Sequence, residues 1–173
     1  MRFLPKAVRE IEGEYTVVTI HRPENTDNDD VLRNIMEAIV EIAADRRVVW
    51  PLHPRTRAAL ETRHIKETLA KHIDFRPPVG YCQMIGWLKY ATSVVTDSGG
   101  VQEETSVLGV PCVTVRNNTE RPITIREGSN VLVAEKTVAG VLSAEEEALA
   151  KKGKGQTIWD GKAGERIARL LLE

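Results

Sequence analysis

The stretch Val94-Val-Thr-Asp-Ser-Gly-Gly-Val-Gln-Glu-Glu104 joins an apolar run to an Asp-Ser-Gly-Gly corner and then to a polar segment that reads as the first turn of a helix. Ser98 is placed to cap a helix beginning near Val101, while Gly99 and Gly100 let the backbone turn tightly and come close to a ligand. Unpaired N–H groups at a helix start, with the helix dipole behind them, form an anion site. An ordinary capped strand-to-helix turn fits the same residues equally well. Glu104 follows Gly100 by one helical turn, so its carboxylate can return towards the same ligand and accept hydrogen bonds from sugar hydroxyls. Gln102 and Glu103 are expected to face elsewhere.

Working outward, the same alternation of strand and helix repeats along the chain. Short β-branched runs lie at Tyr15 to Ile20, Arg47 to Leu52, Ser93 to Asp97, Pro111 to Val115 and Asn130 to Ala134, with a weaker one at Ile73 to Arg76. Between the first two, Val31, Ile35, Ala38, Ile39 and Ile42 recur at spacings of three and four, which is one face of a helix. Leu60, Ile65 and Leu69 suggest a second helix, and Met84, Ile85, Leu88 and Ala91 a third. Strands that are apolar throughout and separated by helices predict a parallel sheet covered on both faces, a doubly wound α/β domain. The Glu- and Ala-rich segment from Ser143 to Lys154 predicts a solvated helix, and Asp160 to Glu173 a closing helix with Ile167, Leu170 and Leu171 as its apolar stripe.

The composition excludes several classes. With 24 Lys plus Arg against 25 Asp plus Glu in 173 residues, there is no overall field to draw the chain onto nucleic acid or an acidic membrane. The two cysteines, Cys82 and Cys112, have neither disulfide density nor metal-ligand spacing and read as small buried side chains in a reducing compartment. No apolar stretch is long enough to span a bilayer and the N-terminus has no signal-like core, so a cytoplasmic location is expected. No metal and no cofactor are expected. There is no Gly-x-Ser-x-Gly nucleophile motif, and the first strand is not followed by the Gly-x-Gly-x-x-Gly of a dinucleotide site.

In a parallel sheet, ligands bind beyond the carboxyl ends of the strands. Four polar segments fall there: His21-Arg-Pro-Glu-Asn25, His53-Pro-Arg-Thr-Arg57, the Asp97 to Gly100 corner, and Arg116-Asn-Asn-Thr-Glu-Arg-Pro122. His21 is placed to exchange a proton or, charged, to stabilise a phosphate, although a loop histidine is more often structural. Arg116 and Arg121 offer guanidinium groups that clamp phosphate oxygens through paired hydrogen bonds. His53 has a similar address, but Pro54 and the helix after it explain much of that segment.

Taken in order, Thr19 to Asn28, His53 to Arg57, Gly80 to Pro122, Glu127 to Val133 and Asp160 to Ile167 resemble the C-terminal half of the UDP-N-acetylglucosamine 2-epimerases, especially the non-hydrolysing type. The resemblance implies a Rossmann-like domain, the second of two in a fold of the glycosyltransferase-B kind. Residues 1–173 would then form a single UDP-binding domain, and the other domain would be a partner. It implies that His21 contacts the substrate phosphates and is needed for activity. Ser98, Gly99 and Gly100 would bind the diphosphate, Glu104 the ribose, and Arg121 the substrate. Val79 and Met84 would border the uracil, Met84 standing where the family commonly has an aromatic. Arg22 and His53 are candidates for a neighbouring effector pocket. The implied reaction interconverts UDP-N-acetylglucosamine and UDP-N-acetylmannosamine by loss and re-addition of UDP. Alternatives are a hydrolysing enzyme that releases N-acetylmannosamine, or a UDP-sugar-binding or assembly module without catalysis. The proton chemistry at the sugar would come mostly from the other domain, and a homodimer is a further expectation.

Overall fold

The computed structural model describes residues 11–63, 71–151 and 159–172. Six strands form one parallel sheet: β1 (Tyr15–Thr19), β2 (Arg47–Pro51), β3 (Ile73–Arg76), β4 (Ser93–Thr96), β5 (Cys112–Thr114) and β6 (Asn130–Leu132). Their spatial order is β3-β2-β1-β4-β5-β6, every neighbouring pair parallel, with Val17 level with Val49 on one side and Val94 on the other. The chain therefore leaves the centre in one direction through β2 and β3, then returns to β4 beside β1 and continues in the other. This is the doubly wound, Rossmann-like arrangement expected from the sequence.

Side chains that follow one another along a strand point to opposite faces, and both faces are covered. Val18, Val48 and Val95 face α2 (Asp29–Asp45) and α7 (Val138–Ala150), while Val17, Val49 and Val94 face α4 (Tyr81–Tyr90) and α5 (Gly99–Leu108). Each such fully buried valine is worth about 1.5–3 kcal/mol relative to exposure, and all six are completely buried. Helix α2 buries Leu32, Ile35, Met36, Ala38, Ile39 and Ile42 on one stripe. Asn28 caps it by accepting from the N–H groups of Asp30 and Val31, and Asp29 and Asp30 complement its dipole. Helix α5 stops at Gly109, whose φ of 67° is the left-handed conformation that glycine adopts without strain. Helix α3 (Pro54–Thr62) buries Leu60, and the helix containing Met84 runs as predicted. Ile65 and Leu69 lie outside the described residues. Two short helices, α1 (Pro23–Thr26) and α6 (Pro122–Arg126), each starting at a proline, were not anticipated.

Two expectations about the helices fail. The helix expected to be solvated from Ser143 starts earlier, at Val138, and is half buried, with Val141, Ala144, Glu145 and Ala148 against α2 and the sheet. Its glutamates mislead because Glu145 enters a buried polar network at the amino ends of the strands. There Ser93 Oγ donates to Glu145 at 2.7 Å, Thr16 Oγ1 lies 2.9 Å from Ser93, and Arg46 donates from Nε to Thr16 at 2.8 Å and pairs with Glu145. The second failure is α8 (Ala163–Leu172). It forms a helix but does not close the domain, for none of its residues is buried, and Leu170, Leu171 and Leu172 are 73%, 80% and 88% exposed. Cys112 is buried, which pushes its thiol up to about 11, whereas Cys82 is exposed, against expectation. Among the described residues no helix is long and apolar enough to cross a membrane.

Candidate functional site

The strand order makes a crevice where the loops after β1 and β4 diverge, and the polar segments noted above converge on it. Asp97, at the end of β4, builds the wall on the β1 side. Its carboxylate is fully buried and accepts from the N–H of His21 at 2.9 and 3.1 Å, the N–H of Arg22 at 2.8 Å, and Asn25 Nδ2 at 3.0 Å. Asn25, also fully buried, donates to the carbonyl of Val115 at 2.9 Å and accepts from Lys136 Nζ at 2.8 Å. Charge-assisted bonds of this kind are about twice as strong as neutral ones. They tie the His21 to Asn25 loop to the segments that follow β4, β5 and β6.

His21 Nδ1 stands 3.1 Å from Asp97 Oδ1, with one third of its side chain exposed. Its ring centre is 5.2 Å from that of His53, which accepts the N–H of Arg55 on Nδ1 at 3.2 Å and so caps α3. Burial holds the His21 imidazole below its usual pKa; Asp97 opposes this, and His53 and Arg22 add to it. A cavity of about 200 Å3 lies in front, lined by His21, His53, Val79, Met84, Ser98 and Val101 among others. His53 thus shares a wall with His21, and Val79 and Met84 line the same cavity. Arg22 belongs to the same loop and caps α1 with its backbone.

Helix α5 begins at Gly99 rather than near Val101. Ser98 occupies the N-cap position with extended backbone, but its hydroxyl makes no cap bond. Its N–H is instead donated to Thr96 Oγ1 at 3.0 Å. The first-turn N–H groups of a helix have no partner within it, so Gly99 and Gly100 present N–H donors at the crevice, beside the Ser98 hydroxyl. A β-carbon built on Gly99 would lie 3.1 Å from Arg121 Nη1, and one on Gly100 would lie 4.0 Å from Glu104 Oε1. Arg121 and Glu104 therefore flank this turn closely. Burial raises the Glu104 carboxyl above its ordinary pKa, and the neighbouring Glu103 adds to the rise.

Arg116 and Glu103 depart from expectation. Arg116 is not available as a phosphate clamp: it is nearly buried and bonds both oxygens of Glu120 at 2.8 and 2.9 Å. That pairing pulls the Glu120 carboxyl down to about 2. Glu103 does not face away, since Oε1 lies 3.0 Å from Arg121 Nε. The contact is ionic rather than an aligned hydrogen bond, for the Nε proton has no acceptor in line. Gln102 does face inward, fully buried, accepting from Thr119 Oγ1 at 2.6 Å and so tying the Arg116 to Arg121 loop to α5. Gln102 faces away from the ligand side as expected, whereas the roles of Asp97 and Lys136 escaped the sequence reading. For Asp97 there was a signal, a carboxylate closing a strand that is otherwise apolar. Among the described residues no group of three or more His, Cys, Asp or Glu side chains is arranged to hold a metal.

A larger groove of about 740 Å3 lies between the start of α2 and α3, but its charged groups are satisfied by the pairs Arg55–Asp27 and Arg63–Asp29. The crevice between β1 and β4 remains the candidate site.

Comparison with known proteins follows the same lines. The sequence pattern of UDP-N-acetylglucosamine 2-epimerase matches residues 3–172. The chain belongs to the UDP-N-acetylglucosamine 2-epimerase family. The epimerase of Methanocaldococcus jannaschii is 40% identical over 165 residues, covering 93% of this chain and 45% of that enzyme. Its solved complex with UDP-GlcNAc and UDP superposes with a TM-score of 0.84 at 40% identity, over 96% of this chain and 47% of that one. Within the same epimerase family, the UDP-2,3-diacetamido-2,3-dideoxy-D-glucuronate 2-epimerase of Pseudomonas aeruginosa is 41% identical over 162 residues, covering 92% of this chain and 44% of that enzyme. The chain spans about half the length of the relatives it matches.

Proposed function

We propose that residues 1–173 form the UDP-binding domain of a UDP-sugar 2-epimerase and that the β1–β4 crevice holds the nucleotide. The observation that carries this reading is the flanking of the Ser98 to Gly100 turn by Arg121 and Glu104. A diphosphate at that turn meets helix N–H groups, the Ser98 hydroxyl and a guanidinium, while the adjoining ribose meets the Glu104 carboxylate. Val79 and Met84 supply the apolar border for the base, and His21 stands beside the phosphates.

In the full enzyme the reaction removes the proton at C2 of the sugar as UDP leaves from C1, then returns a proton to C2 on the opposite face as UDP adds back at C1. Charge develops on the diphosphate as the bond to the sugar breaks. Arg121, the start of α5 and a protonated His21 stabilise it. The proton at C2 is handled by the other domain, which the resemblance makes a required partner. UDP is common to the sugar nucleotides named for both the archaeal and the Pseudomonas relatives, so the crevice fits either, with UDP-N-acetylglucosamine the first substrate to assay.

Titration of the 15N-labelled chain with UDP tests the site. Shifts confined to Ser98 to Glu104, His21 and Arg121 support it, and silence there at millimolar UDP removes it. Turnover of UDP-N-acetylglucosamine is expected only after an N-terminal epimerase domain is supplied, with UDP-N-acetylmannosamine rather than free sugar as product.

A further inference from the structure

We propose that Asp97 is a positioning residue for His21: it holds the imidazole as the Nδ1–H tautomer, so that Nε2 faces the crevice. The inference rests on the nucleotide reading above and deepens it. Asp97 is fully buried, and a buried carboxylate must be compensated by donors. It has three from the main chain and Asn25, and the nitrogen nearest its remaining side is His21 Nδ1, 3.1 Å from Oδ1. The contact is ionic rather than an aligned hydrogen bond, and a carboxylate, which accepts rather than donates, favours a proton over a lone pair on the nitrogen facing it. Nε2 is then the unprotonated nitrogen of the neutral ring, free to take a proton and present it to a phosphate oxygen. His53 does not supply this constraint, since its own Nδ1 is occupied by the Arg55 N–H.

A purely structural role for Asp97, fastening the loop through backbone donors, makes a different prediction, and the tautomer separates the two. Long-range 1H–15N spectra of the full chain at mildly alkaline pH should show His21 Nδ1 as pyrrole-type and Nε2 as pyridine-type. This measurement needs no variant. In Asp97→Asn a single carbonyl oxygen must serve the backbone donors, which turns the amide NH2 towards the ring and should move the proton to Nε2. Lys136→Met loosens the same loop through Asn25 without touching His21, and should leave the tautomer as in the wild type. An Nε2–H tautomer in the wild type, an unchanged tautomer in Asp97→Asn, or a switch in Lys136→Met would each overturn the proposal. UDP added to the same samples reports separately. If amides from Ser98 to Glu104 do not respond, the nucleotide reading falls while the tautomer result stands on its own.

Discussion

The guanidinium of Arg121 lies against the backbone of Gly99, so close that a β-carbon there would stand 3.1 Å from Nη1 and 3.2 Å from Cζ. The glycine therefore serves Arg121 as much as the turn. In Gly99→Ala the side chain of Arg121 must shift by tenths of an ångström, because it is the flexible partner. Weakening of one charge-assisted bond predicts roughly tenfold poorer UDP affinity. Stability should hold or improve slightly, since alanine favours a helix over glycine by about 0.5–1 kcal/mol. Calorimetric titration and thermal melts of one preparation check both.

Arg121 pairs with Glu103, 3.0 Å from Nε, and with Glu120, 3.5 Å from Nη1. A phosphate must compete with both. Glu103→Gln removes one competitor and a source of upward pressure on Glu104, so UDP should bind about two- to fivefold more tightly, as expected for a partly exposed pair. The gain should shrink as salt is raised. Arg121→Gln is the counterpart and should weaken UDP by roughly ten- to a hundredfold.

Much of this arrangement was legible in the sequence because period and position carry it. The β-branched runs mark the sheet, and the carboxyl-end rule brings His21, Ser98 and Arg121 to one edge from the sequence alone. What was not legible depends on partners distant in sequence. Arg116 and Arg121 look alike in their segment, and only burial of one against Glu120 separates a loop brace from a ligand group. Glu145 looks like a surface residue of an acidic helix until Arg46, Ser93 and Thr16 are found around it. The Asp97 grip on His21 spans 76 positions, beyond any local pattern.

Glu104 predicts opposed effects on stability and binding. Its folded pKa lies above 4.5, mainly through burial. The folded state thus holds the proton more tightly than the unfolded one, and stability falls as pH rises from 4.5 through the raised value. Glu104→Gln removes that cost, so the variant should be more stable than the wild type at neutral pH and equal to it once both states are protonated. UDP binding should move the other way: weaker in Glu104→Gln at neutral pH, and lost by the wild type as acid protonates the proposed ribose acceptor. Denaturant melts and UDP titrations along a pH series give both curves.

The network at the opposite edge is a stability element without a ligand. Replacing Glu145 by Gln leaves the Arg46 guanidinium largely buried without its counter-charge, which costs about 3 kcal/mol or more. Chemical denaturation should show the loss, while UDP affinity of the folded fraction stays unchanged, because the affected groups sit at the amino ends of β1 and β4 and the proposed nucleotide crevice at their carboxyl ends.

Helix α8 gives the last prediction. Its apolar stripe runs through Ile167, Leu170 and Leu171, yet Ile167 is 57% exposed and the leucines more so. An isolated helix shorter than about 12–15 residues is marginal in water, and α8 has 10 residues, none of them buried. Its amides should exchange with solvent within seconds, while those of β1 and β4 remain protected for orders of magnitude longer. Adding an N-terminal epimerase domain is expected to slow exchange in α8 if that domain covers the stripe. Exchange measured by mass spectrometry with and without the added domain decides it: protection of α8 in the chain alone would show that the stripe is already covered, and fast exchange in the reconstituted pair would mean that the added domain leaves it bare.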